Sequence, residues 1–269
     1  MGISFTVLSS GSTGNATVVR NEDTTLLIDA GLSAKRIDEL LKERDLSGED
    51  LNGILVTHEH SDHIKGLGAM ARKYNLPVYA NEKTWFAISN AVGQIADDNR
   101  RILETGATRE FDSLRVESFG ISHDAAEPVG YSFYDGAEKL SVATDLGYVS
   151  DKVKQAISDA DVLVLEANHD VEMLRMGRYP WNIKRRILSD IGHLSNEMAG
   201  AILSELLSTG RTKRTYLAHL SRDHNMMDLA KMTVRGAMED RGCFYKDNEF
   251  RLCDTYYDRP TPWDKVSEP

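Results

Sequence analysis

The sequence predicts an α/β protein in which two sheets face each other and helices cover the outside. Three observations carry that reading. Strand-like runs come in groups with helical runs at intervals, rather than in the strict alternation of a doubly wound parallel sheet. The runs are short, rich in β-branched residues and bounded by Gly, Asp or Asn. Five of them end in a polar, metal-capable side chain, namely Asp29, His58, Asp145, Glu166 and His219. Reactive side chains presented at strand ends by a rigid scaffold point to one shared site on one rim.

In chain order, strands are expected over 3–8, 16–20, 25–29, 53–57, 78–80, 114–119, 129–134, 139–144, 162–166 and 215–219. The first is read from the alternation of Ile3, Phe5 and Val7 with Ser4 and Thr6. Helical periodicity marks 34–43, 64–74, 82–91, 151–158, 196–208 and 227–239. No low-complexity linker divides the 269 residues, so the chain reads as one domain over 1–269. Its end, after about Asp254 and with Pro260, Pro262 and Trp263, reads as extended, either disordered or packed on a neighbour.

Composition is that of a soluble enzyme, 41% hydrophobic and 28% charged. No run reaches the roughly 18 apolar residues a membrane span needs, and the first ten residues lack the pattern of a secretory leader. A cytoplasmic location without membrane contact is expected. Cys243 and Cys253 are expected as free thiols outside any metal site. The net charge of −10 argues against a nucleic-acid partner at face value, but its distribution matters more than its total.

The segment Thr57-His58-Glu59-His60-Ser61-Asp62-His63 places four good metal ligands within six residues at the end of a buried strand. On an irregular turn His58 and His60 can converge on one ion while Asp62 and His63 face a second. Imidazole and carboxylate suit zinc, and also manganese or iron. Further ligands are available in His123 after one strand, and in Asp145 and His219 at the ends of two others. His224 has no assignment.

The series His58-x-His60-x-Asp62-His63 with His123, Asp145 and His219 resembles the ligand series of the metallo-β-lactamase superfamily, and Asp29 matches as a support behind the loop. The resemblance implies an αββα sandwich. It also implies one ion on His58, His60 and His123, another on Asp62, His63 and His219, and Asp145 bridging them. A metal-held hydroxide would be the attacking group, and two ions roughly 3.5–4 Å apart suit phosphodiesters.

Three features bear on the substrate. Glu166 and His193 resemble the Glu-Ala and Gly-His-Ser segments of the transfer-RNA 3′-processing nucleases. That likeness implies His193 as acid and Glu166 as its orienting carboxylate; with Asp62 of the metal loop they make up the expected catalytic residues. Residues 173–189 hold Arg175, Arg178, Lys184, Arg185 and Arg186 with Tyr179 and Trp181 and no acidic residue. Such a run reads as a substrate-binding arm, with cations on phosphates and rings on bases. The small-residue loop 9–15 offers Ser10, Ser12 and Asn15 to a phosphate oxygen.

Together with Tyr-Pro-Trp-x-x-Lys-Arg-Arg, Gly-His-Leu-Ser-Asn and Leu-Ala-His-Leu-Ser, these motifs are similar to the bacterial YycJ (WalJ) exonuclease-like family over about residues 3–225. The similarity implies a 5′-to-3′ DNA exonuclease with two divalent ions, Zn or Mn, and His169 touching substrate. RNA 3′-processing and hydrolysis of a small ester or cyclic phosphodiester are the alternatives.

Overall fold

The computed structural model describes residues 2–209, 211–246 and 248–268. Six strands open the first sheet: β1 (Ser4–Ser9), β2 (Ala16–Arg20), β3 (Thr25–Ile28), β4 (Gly53–Leu55), β5 (Val78–Ala80) and β6 (Arg100–Ile102). The second sheet takes β7 (Thr108–Phe111), β8 (Leu114–Gly120), β9 (Val129–Asp135), β10 (Glu138–Ala143), β11 (Val162–Glu166), β12 (Arg214–Ala218) and β13 (Arg251–Cys253). A last strand, β14 (Asp264–Lys265), returns to the first sheet beside β1. The orders are β14-β1-β2-β3-β4-β5-β6 and β13-β12-β11-β10-β9-β8-β7. Each sheet is antiparallel in one part and parallel in the other, with β3 to β6 parallel in the first and β10 to β13 in the second.

Side chains alternate across each strand, so one face of a sheet meets the other sheet and the opposite face meets helices. Phe5, Val7, Leu26, Ile28 and Leu55 pack against Val116, Tyr131, Phe133, Val142 and Val164 between the sheets. On the outer face of the first sheet, Leu27, Ile54 and Val56 meet α1 (Ala34–Lys42), α3 (Leu67–Tyr74) and α4 (Glu82–Ile88). On the outer face of the second, Leu163, Leu165 and Leu217 meet α5 (Asp151–Ile157), α8 (Asn196–Leu206) and α9 (Met227–Glu239). The result is the four-layer αββα sandwich.

Several elements differ from expectation. The helix expected over 64–74 is broken into α2 (Ser61–Ile64) and α3. Gly66 is the reason: its N–H leaves the helical ladder for the Ala30 carbonyl at 2.8 Å, and a Cβ there would lie 2.2 Å from the Leu32 carbonyl. Asp62 and His63 therefore sit on a helical turn, not on an irregular loop. The basic run 173–189 folds into α6 (Val171–Met176) and α7 (Trp181–Ile187). The strands β6, β7 and β14 carry mostly polar residues and β13 is only three residues long, so sheet pairing makes them strands.

The segment after Asp254 is extended and packs on its own chain. Thr261 donates its N–H to the Val7 carbonyl (2.9 Å) and accepts from Val7 N–H on its hydroxyl (3.0 Å). Arg20 stacks 3.8 Å from the Trp263 ring. The buried Arg214 closes the segment with a bidentate pair to Asp264 at 2.9 and 3.1 Å. Breaking a buried pair leaves the remaining charge uncompensated, so Arg214→Ala should lower unfolding free energy by about 3–5 kcal/mol in a urea titration. A loss within error of zero would mean that the tail does not brace the sheet. Cys243 and Cys253 are free thiols. No helix of the described residues is long and apolar enough to cross a membrane.

Candidate metal centre

The parallel strands β3, β4, β10, β11 and β12 all point their carboxyl ends at one rim, where open α/β sheets gather ligands. Three residues at these ends share an unusual backbone: Asp29 (φ 59°), Asp145 (φ 61°) and His219 (φ 55°) are left-handed. Such positions cost free energy in non-glycine residues and persist only when the surroundings enforce them. At His219 the enforcement is visible. Its N–H donates to Ser10 Oγ (2.7 Å) and its carbonyl accepts from Asn168 Nδ2 (2.8 Å).

Asp29 organises the histidine loop from behind. Its carboxylate accepts from Thr57 N–H and Thr57 Oγ1, both at 2.8 Å, and from His63 Nδ1–H at 2.7 Å. Thr57 gives its hydroxyl proton to Asp29, so it must accept from His58 Nδ1–H, 3.0 Å away. The chain of bonds leaves His58 Nε2 as a bare lone pair, buried and without a hydrogen-bond partner among the described residues.

Two donor sets follow. His58, His60 and His123 form one, and Asp62, His63 and His219 the other, each with ligand atoms within 4.8 Å of one another. In the first set, His123 Nδ1 donates to the Gly192 carbonyl (3.0 Å) and His60 Nε2 to the Asp124 carbonyl (3.2 Å). The remaining nitrogens, His123 Nε2 and His60 Nδ1, face each other at 3.3 Å. In the second set, His219 Nε2 and His63 Nε2 lie 3.4 and 3.6 Å from Asp62 Oδ2. Asp145 stands between the sets: Oδ1 is 3.7 Å from His123 Nε2, and Oδ2, without a hydrogen bond, is 3.3 Å from His63 Nε2. Unpartnered buried lone pairs and facing ring nitrogens are what divalent ions satisfy, so the residues fit a metal centre.

Electrostatics agree. Burial, then the neighbouring His63, His123 and His60, hold His58 well below the usual imidazole range. Burial also lowers His63, but the charges of Asp145 and Asp29 overcome it and push its pKa up to about 10. His219 rises well above its ordinary value against burial, through Asp145, Asp62 and Glu166. Asp62 is held far below the carboxylate range despite burial, by hydrogen bonds from His219 and His63.

Glu166 is fully buried and bonded on both oxygens. Oε1 accepts from His193 Nδ1–H (2.8 Å) and His219 Nδ1–H (2.9 Å), and Oε2 from the N–H groups of Leu146 (2.6 Å) and Leu194 (3.2 Å). The expected Glu166–His193 pair is therefore present. The link to His219 was not legible, because 53 residues separate the two.

The cavity over the centre, about 310 Å³, is walled by Ser12, Tyr179, Arg186, His193 and Ser221 among others. Asp124, Asn168 and Ser221 also line the wall; Ser221 lies in the Leu-Ala-His-Leu-Ser motif, but nothing in the sequence marks any of the three as facing the site. Of the expected substrate residues, Ser12, Tyr179 and Arg186 reach the cavity. Arg186 pairs with Asp124 at 2.8 Å, and Tyr179 donates to Asp223 at 2.9 Å. Trp181, Arg178 and Arg185 are exposed and do not line it.

Other expectations are corrected. Lys184 is buried, with Nζ donating to the Arg175 carbonyl (2.6 Å), because the helical phase of α7 puts it on the same face as Ile187. Ser10 is buried holding His219. Asn15 is buried too, bonded both ways to Gly11 (2.9 and 3.1 Å), with its amide 3.1 Å from His63 Nε2. Both hold residues of the donor sets in place, and neither faces the cavity. His169 is 1% exposed, bridges backbone with Ser195, and is held by burial at a pKa of about 4. It lies behind the wall, not in it.

Residues 24–220 match the family described as the beta-lactamase superfamily domain. The chain is 54% identical to exodeoxyribonuclease YycJ of Bacillus anthracis, over 97% of this chain and 98% of that one. It is 44% identical to exodeoxyribonuclease WalJ of Streptococcus pneumoniae, over 99% of each. Among solved structures, the metallo-beta-lactamase fold protein YhfI of Bacillus subtilis superposes with a TM-score of 0.70 at 15% identity, covering 97% of this chain and 99% of that one.

Proposed function

The chain belongs to the metallo-β-lactamase superfamily, in the family of the YycJ and WalJ proteins, and from that premise we propose that it is a two-metal nuclease that degrades DNA from 5′ ends. The observation that carries the reading is the Asp145 carboxylate between two three-residue donor sets, with the Glu166–His193 pair on the same rim. The names of the two relatives, both exodeoxyribonucleases, support DNA as substrate.

His58, His60 and His123 would hold one ion, Asp62, His63 and His219 the other, and Asp145 both; zinc and manganese suit this set. Ions held there would supply Lewis acidity toward a phosphodiester and an activated water at neutral pH. The chain's own groups do the rest. His193 keeps Nδ1–H on Glu166, so Nε2 is the atom that can carry a proton to the departing oxygen. Arg186 offers a guanidinium to the strand and Tyr179 a ring face. Asp29 and Glu166 fix the tautomers of His63 and His219, which present Nε2 to the centre.

A pH prediction follows. With His63 pushed up to about 10, its ring is protonated at pH 7.5 without metal, and the upward shift of His219 acts in the same direction, yet a ligating imidazole must be neutral. Metal binding should therefore release protons, that of His63 among them, and tighten as pH rises. Titration calorimetry in phosphate and in Tris reads this as a buffer-dependent enthalpy, and equal enthalpies would contradict it.

The activity is tested with 5′- and 3′-labelled DNA and RNA, single- and double-stranded. Mononucleotides released from DNA 5′ ends are expected. Faster cleavage of RNA, or cleavage of cyclic phosphodiesters alone, would replace this substrate assignment.

A further inference from the structure

The loop after β12 separates the metal-centre cavity from a second one of about 460 Å³. Ser221 belongs to both walls. Ser10, which holds the His219 backbone, also lines the second. Its floor comes from the C-terminal segment, for which the mechanism above has no use. Ser9 Oγ donates to the Tyr257 carbonyl and Ser10 N–H to the Tyr256 carbonyl, both at 2.9 Å. The two rings are thereby tied to the loop that positions a metal-centre residue.

The chemistry of this pocket is distinctive. Arg222 lies 4.4 Å from the Tyr257 ring centre and Arg259 lies 4.1 Å from that of Tyr256. Neither guanidinium makes an ion pair among the described residues, unlike Arg186 with Asp124 or Arg175 with Glu172. An arginine stacked on a ring keeps its in-plane N–H fork free for phosphate oxygens. The Tyr257 side is 46% exposed, leaving ring surface for a base. Asp258 is the one carboxylate in the wall, against two guanidinium groups. Pockets from about 300 Å³ upward accept a ligand the size of a nucleoside.

We infer that this pocket is a strand-binding subsite, taking a nucleotide of the single-stranded substrate that continues past Ser221 from the metal centre. Its base stacks on Tyr257 and its flanking phosphates bind Arg222 and Arg259. The assignment rests on the nuclease reading and extends it to a second point of grip on the strand.

The test is the affinity of the metal-loaded enzyme for a fluorescein-labelled phosphorothioate dT12, read by anisotropy across a salt series. Loss of one stacked base predicts about 5- to 150-fold weaker binding for Tyr257→Ala, with Tyr257→Phe close to wild type. Arg222→Gln with Arg259→Gln should reduce the slope of log affinity against log salt by about 1.4, at roughly 0.7 per phosphate contact. Wild-type affinity and slope in all these variants would overturn the subsite alone. A wild-type enzyme that binds no oligonucleotide would overturn the nuclease reading, and the subsite with it.

Discussion

Asp145→Asn should lower DNA hydrolysis at least about a thousandfold, the loss expected when several kcal/mol of metal-ion catalysis disappear. Asparagine is the informative substitution because Asp145 holds φ 61°, a left-handed conformation that Asn adopts more readily than Ala, through local hydrogen bonds of its short polar side chain. The backbone turn then survives while the charge between the donor sets is lost. Metal content should fall with activity, since the carboxylate lies 3.3 Å from His63 and 3.7 Å from His123 on its two oxygens. Elemental analysis beside a rate assay checks both. A variant that keeps two ions and most of its activity would remove Asp145 from the bridging position.

Glu166→Gln and His193→Gln should separate two roles that share one carboxylate. His193→Gln removes only the proton carrier and is expected to cost about 10²- to 10⁴-fold in kcat with metal content intact. Glu166→Gln loses the orientation of His193 and also that of His219, because Oε1 accepts from both rings. Losing the group that orients a ligand typically costs 10- to 100-fold in metal affinity. Glu166→Gln should therefore lose both rate and metal affinity, the latter measured by competition with a chelator. Equal metal affinity in the two variants would mean that Glu166 serves His193 alone.

Much of this was legible in the sequence because its signals are local. A buried strand running into His58-x-His60-x-Asp62-His63 states its chemistry within six residues, and the apolar alternation of Phe5, Val7, Leu26 and Ile28 states the sheet face. The other features depend on partners far along the chain. Arg251–Cys253 and Asp264–Lys265 have no apolar period, and become strands only because β12 and β1 offer free edges. Lys184 reads as one more cation in a basic run until the turn of α7 carries it beside Ile187. Ser10 and Asn15 look like phosphate-binding small residues, yet their partners His219 and His63 lie 209 and 48 residues away. The Arg222–Tyr257 contact likewise joins distant segments, so neither residue stands out alone.

The most direct test combines metal content and catalysis on one set of samples. Purified protein is stripped, reloaded with manganese or zinc, and assayed on end-labelled DNA beside Asp145→Asn, with bound metal counted in each. Two ions per chain and metal-dependent release of mononucleotides, both lost in the variant, are the predicted result. DNA cleavage that persists in stripped protein or at full rate in the variant would contradict the account. So would a fully loaded enzyme that cuts no polymer.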